Sequence, residues 1–240
     1  MKKKVKTTLS KLTFHKLDWL EWTTIGIGFW FVFFSKPYAI LFTLLLIIPI
    51  LGLVLNGLNG RPSIASLVEI TKKDKGGNKY DVADFIDLAA IAILIRVLKD
   101  FAFESFYSLI IPGAITFSGM LIILFVTHKR IGETTKNKTW IYSSLLFNVF
   151  LYSYAATYGA NCVYDTSEAT VYEAKVIDKH THRGRKGSRT YYVKVTPWGH
   201  HYDPENISVP YDQYERIQID EKVKIDLQDG LFGIQWYHIE

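Results

Sequence analysis

Four histidines stand in the last third of the chain as two pairs, His180 with His182 and His200 with His201, and imidazoles in such numbers are the usual material of a metal centre. The stretch 190–196 between the pairs reads as a strand. At ~3.3 Å per residue it holds them about 20 Å apart, too far to share one ion at ~2.0–2.1 Å. Neither a metal nor any other cofactor is therefore expected. Between the pairs lies a basic tip, with Arg183, Arg185, Lys186 and Arg189 around a turn at 184–188. A base close to anionic headgroups contributes about 1 kcal/mol, so this tip is a candidate lipid-headgroup contact, the plain alternative being a solvated turn. A third group, Asp84, Asp87, Arg96 and Asp100, lies on one helical stretch. Asp84 and Asp87 share a helix face, as paired catalytic carboxylates do, but acids at a helix start also complement its dipole, and Arg96 with Asp100 has the i,i+4 spacing of an ion pair. The four form a candidate interfacial polar cluster. No Ser/His/Asp set and no phosphate loop is recognisable, so no catalytic residue is assigned. A lone Cys162 allows no internal disulfide.

The elements that must carry these residues divide the 240-residue chain sharply. Apolar residues make up 49% and charged ones 21%, but 22–57, 105–127 and 140–164 are almost free of charge. Such runs exclude a disordered chain and point to a membrane. Spans are expected near 22–35, 38–56, 105–127 and 140–164. Trp140, Tyr142, Tyr154, Tyr158 and Tyr164 supply the last with aromatic belts, and Pro49 inside the second is tolerable where neighbours satisfy the carbonyl it frees. Lys36-Pro37 reads as the tip of a helical hairpin. Lys2, Lys3 and Lys4 ahead of an apolar run could open a signal peptide, but no small-x-small cleavage site follows. The helix at 84–99 is apolar over only about eleven residues and is expected to lie in the interface, since Arg96 at mid-bilayer would cost ~2.5–3.5 kcal/mol. Were it to cross, the loop at 128–139 and the carboxyl-terminal part would exchange sides, with a better count of positive charge on the inner side. Residues 1–164 thus form an expected transmembrane domain. The chain's net charge of +5 combines a surplus of eight bases in this part with a surplus of three acids in the rest, so its basic loops suit a membrane surface rather than nucleic acid.

Residues 165–240 form the expected soluble domain. From Ala169 the pattern alternates, with strands at 170–179, 190–196, 206–209, 222–227 and 234–239 and a helical turn at 211–217. Five short strands suit a small barrel of the OB or SH3 kind. Val171, Val193, Val195, Val209, Val223, Ile225, Ile234 and Trp236 are its expected core.

Several segments carry a resemblance: Arg61 through Ile70, Asp84-Phe85-Ile86-Asp87, Arg96 through Asp100, Ile219 through Ile225, and Gly230 through Trp236. With them the chain resembles small multi-pass bacterial inner-membrane proteins that end in a compact β domain, and its tail is similar to the barrels of membrane-anchored accessory proteins. The resemblance covers most of the chain loosely and implies no reaction. The function expected is a non-enzymatic anchor or accessory subunit in the lipid bilayer of the inner membrane, presenting the barrel to a protein partner or to a second copy. The alternatives are a membrane enzyme using Asp84, Asp87 and Arg96, and a channel or transporter subunit with a polar path along Thr43, Asn56, Ser143 and Asn148. Against transport, the three better spans contain no ionisable side chain of the kind ion coupling uses. Ala155 with Gly159 and Ala156 with Ala160 give the last span a small-residue face for helix packing.

Overall fold

The computed structural model describes residues 17–34, 36–58, 60–72, 78–132, 138–184 and 189–239. The chain forms two compact units, Met1–Val97 with Leu109–Gly159 and Leu98–Ser108 with Ala160–Glu240. The second unit therefore takes in residues 98–108 and 160–164 beside the 165–240 that hydropathy alone marks off.

Helices α1 (Asp18–Phe34), α2 (Tyr38–Leu58), α3 (Asp84–Asp100), α4 (Ile110–Thr127) and α5 (Lys138–Val163) build the first unit, together with an antiparallel hairpin of β1 (Val68–Lys72) and β2 (Asn78–Val82). Small residues let the helices approach closely. A Cβ on Gly28 would touch Ala92, on Gly52 it would run into Phe85 and Leu20, on Gly57 into Thr127, on Gly113 into Tyr154, and on Gly159 into Phe42 and Val97. The hydroxyl of Tyr152 donates to the carbonyl of Leu46, in the turn of α2 that Pro49 disturbs, so a neighbouring helix satisfies backbone there.

These contacts also fix direction. Leu20, Gly52, Phe85, Gly57 and Thr127 lie level at one end, while Phe31, Tyr38, Phe42, Val97 and Gly159 lie level at the other. The guanidinium of Arg96 stands 5.9 Å from the Phe31 ring centroid and 5.6 Å from that of Tyr38, which puts the last turns of α3 beside the hairpin tip joining α1 to α2. Helices α1, α3 and α5 thus run one way and α2 and α4 the other. Since α2 and α4 finish at the same end, α3 must return the chain between them.

Two expectations need correction here. Four spans with an interfacial helix at 84–99 do not describe this bundle. Helix α3 buries Phe85, Ile86, Ala89, Ala90, Ile93, Arg96 and Val97, and it traverses the unit as its neighbours do. The expectation treated Arg96 as a charge facing lipid, whereas its side chain is covered by aromatic rings. Among the described residues, Tyr38–Leu58 and Phe106–Thr127 are the helices long and apolar enough to cross a membrane by length and composition. Helix α1 has 17 residues with Asp18 and Glu21 in its first turn, and the 26 residues of α5 include Asn148, Ser153, Thr157 and Asn161. The strand count is the second correction: among the described residues the barrel-like sheet has six strands, not five.

That sheet is nearly closed and antiparallel, in the order β3 (Ala102–Phe103), β8 (Trp236–Ile239), β7 (Lys222–Gln228), β4 (Thr170–Arg183), β5 (Arg189–Val195), β6 (Glu205–Val209). Strand β4 serves both halves. Thr170 to Lys175 pair with β7, and from Val176 onward it pairs with β5, with a register shift between Val176 and Asp178 that bends the strand and lets the sheet curl. Its inward phase is Tyr172, Ala174 and Val176, so Val171, expected in the core, is 55% exposed. Val193, Val195, Val209, Val223, Ile225, Ile234 and Trp236 are buried as expected. A short helix α6 (Tyr211–Arg216) follows β6.

Candidate functional site

The residues singled out from sequence do not converge. Asp84 and Asp87 sit in the first turn of α3, where Asp87 Oδ1 accepts from the Leu88 N–H, and Arg96 is twelve residues further on, about 18 Å along the axis. Arg183 pairs with Arg189 where β4 ends and β5 begins, both exposed; Arg185 and Lys186 lie outside the described residues. His180 stacks on its cross-strand partner Tyr192, with centroids 5.3 Å apart and planes at 16°.

Two features of the second unit were not foreseen. The first is a seam. Strand β6 ends the sheet order and stands beside β8 without joining its ladder, so among the described residues one of its edges has no strand partner. A groove of about 710 Å³ is lined there by residues of β6, of β8 and of the segment 98–106. The Gln213 amide donates to the Ile239 carbonyl across one end. The lining mixes aromatic and aliphatic side chains with backbone polar groups, which is the make-up of a site for an extended peptide.

The second is a knot of histidines and carboxylates. Glu104 follows β3, and its N–H donates to the Gln235 carbonyl, which anchors it beside the approach to β8. Its Oε1 lies 2.6 Å from His200 Nε2 and its Oε2 lies 3.1 Å from His201 Nε2. Gly199, with φ of 53°, makes the turn that sends both neighbouring imidazoles to the same side, stacked at 4.8 Å. Glu205 Oε2 lies 3.5 Å from His201 Nδ1 and accepts from Trp198 Nε1–H, while its Oε1 accepts from the Tyr237 hydroxyl at 2.6 Å. Burial, then the hydrogen bond and charge of Glu205, push the Tyr237 phenol well above the usual tyrosine range. The sequence signal for this group was the His200-His201 doublet. Glu104 lies 96 positions away and no spacing rule connects them.

Comparison with family models, with curated proteins and with solved structures finds no match to this chain.

Proposed function

We propose that this chain is a multi-pass protein of the lipid bilayer that crosses with five helices and holds out a small β domain for a protein partner. The observation that carries the membrane reading is the outer surface of the helices. Large apolar side chains are exposed on all five, among them Phe29, Phe33, Ile40, Ile47, Ile91, Ile95, Ile111, Ile115, Ile122 and Phe147, and a third or less of either strongly apolar helix is buried. A soluble protein rarely leaves so continuous an apolar surface to water, whereas acyl chains solvate it at no cost. The resemblance to small bacterial inner-membrane proteins is the ground for proposing that membrane. Arg183 and Arg189 are proposed to touch anionic headgroups.

The β domain, which we assign to the small-barrel class of OB and SH3 folds, contributes the recognition surface. An extended segment of the partner would add beside β6, with backbone pairing for affinity and the aromatic lining of the groove for selectivity. Enzyme and channel readings have less support. Asp84 and Asp87 are remote from Arg96 along one helix. The Thr43 hydroxyl and the Asn148 amide bond back to carbonyls of their own helices, and Asn56 is held by Ser66 and His128, so these groups do not line a path.

A photo-crosslinking residue placed at Asn206 or Ser208, both exposed on β6, tests the seam against the same residue at Lys222, exposed on β7. In native membranes a distinct adduct is expected from 206 and 208 only. An adduct of twice the chain mass would identify the partner as a second copy. Identical adducts from all three positions, or none, would refute the seam as the contact.

A further inference from the structure

We propose that Glu104, His200 and His201 bind one divalent transition-metal ion, Zn²⁺ being the best match to the donor set. One ligand atom from each of the three side chains lies within 4.8 Å of the others. A tetrahedral ion at ~2.0–2.1 Å from each would hold its ligand atoms about 3.3–3.5 Å apart, so small side-chain rotations suffice and the backbone need not move. Two imidazole nitrogens with one carboxylate oxygen favour zinc or a related first-row ion. Calcium and magnesium, which require six or more oxygens, do not fit.

The surroundings match what metal centres use to hold a ligand. A ligating imidazole commonly donates its other N–H to a carboxylate, which fixes the ring and raises its basicity. Here Glu205 faces His201 Nδ1 and is itself held by Trp198 and Tyr237. Glu104 and His201 are largely covered, with side chains 14% and 21% exposed, while His200 is 54% exposed. The coordination position on the His200 side therefore opens to solvent, as it does in centres that take a water or an exogenous ligand. The earlier expectation of no metal compared one histidine pair with the other. It had no means of placing Glu104, which reaches the His200-His201 turn only through the pairing of β3 with β8.

Full-length protein in mild detergent, stripped with a chelator, is titrated with Zn²⁺ against a chromophoric competitor, and Co²⁺ is used in parallel for its visible absorption. One tight equivalent is expected. Glu104→Gln, His200→Ala and His201→Ala should each weaken it by at least about tenfold, and Glu205→Gln by about 10–100-fold, the usual effect of removing a supporting partner. His180→Ala with His182→Ala should leave it unchanged. Glu104→Gln and Glu205→Gln are close to isosteric, and an unaltered circular dichroism spectrum for them separates loss of the site from loss of the fold. The proposal is overturned if the wild type takes up no more Zn²⁺ than the His200→Ala/His201→Ala double variant, or if the His180/His182 variant loses the tight equivalent.

Discussion

Asp165 shows how much a single side chain ties together at the entrance to the β domain. Its Oδ2 accepts from the Gly230 N–H at 3.0 Å and from Trp236 Nε1–H at 2.9 Å, and its Oδ1 accepts from the Ser167 N–H at 2.9 Å. Burial raises its pKa, but these donors outweigh that effect and hold the carboxyl below its ordinary value. A depressed carboxyl contributes stability that is complete above the unfolded pKa, ~3.9, and is lost as pH falls through the folded one. Asp165→Asn keeps the shape but offers one acceptor oxygen in place of two and carries no charge. At neutral pH the variant should be less stable than the wild type by about 1–3 kcal/mol, with the gap narrowing below about pH 4. Thermal unfolding of both full-length proteins, followed by circular dichroism from pH 7 to 3, measures that difference. A gap independent of pH would show that the charge contributes nothing. Beside it, Asn161 at the end of α5 accepts from the Phe232 N–H and donates to the Ile234 carbonyl, and Gly230, with φ of 75°, has no room for a Cβ against it. Neither Asp165 nor Asn161 was prominent in sequence, because each acts on a loop some 65 to 73 positions away.

Helices and strands were legible to different degrees, for different reasons. Gly159 belongs to the small-residue face visible in sequence, and its neighbours are Phe42 and Val97. Gly159→Val should therefore lower stability in detergent by about 1–3 kcal/mol through overpacking, whereas Gly26→Val, at a helix position with nothing near, should cost no more than its weak propensity difference. Equal effects on the melting temperature would remove the packing argument. The apolar runs announced four of the five long helices, since length and hydropathy need no partner to be read. The tail strands fall where the sequence places them because alternation is local, though β4 runs on to Arg183 and β8 begins only at Trp236. Three things were not local. The inward phase of β4 is that of Tyr172, Ala174 and Val176, so the apolar but exposed Val171 was read as core; β3 is two residues that exist as a strand only because β8 lies beside them; and the β1–β2 hairpin has charged residues where a strand signal needs apolar ones.

At the scale of the whole chain, the alternating helix directions and the charge pattern make the proposed membrane orientation testable. In sequence, the segments 2–16, 61–79 and 129–138, which precede α1 and follow α2 and α4, carry fifteen Lys and Arg, whereas the segment between α1 and α2 carries only Lys36. Under the proposed five crossings, the rule that positive residues gather on the cytoplasmic face would put that end inside and Glu240 on the far side of the membrane. A compartment-sensitive reporter fused after Glu240 should give the far-side signal, and one fused after Gly132 the cytoplasmic signal. Both signals on the same side would eliminate five crossings. Arg96 supplies the control. Had its charge kept α3 out of the bilayer, Arg96→Leu would switch the reporter at Glu240; because the guanidinium is packed against Phe31 and Tyr38 inside the bundle, the signal should stay as it is. What the substitution should change is stability, through loss of two cation–π contacts of about 0.5–2 kcal/mol each, read as a lower melting temperature in detergent with the topology intact.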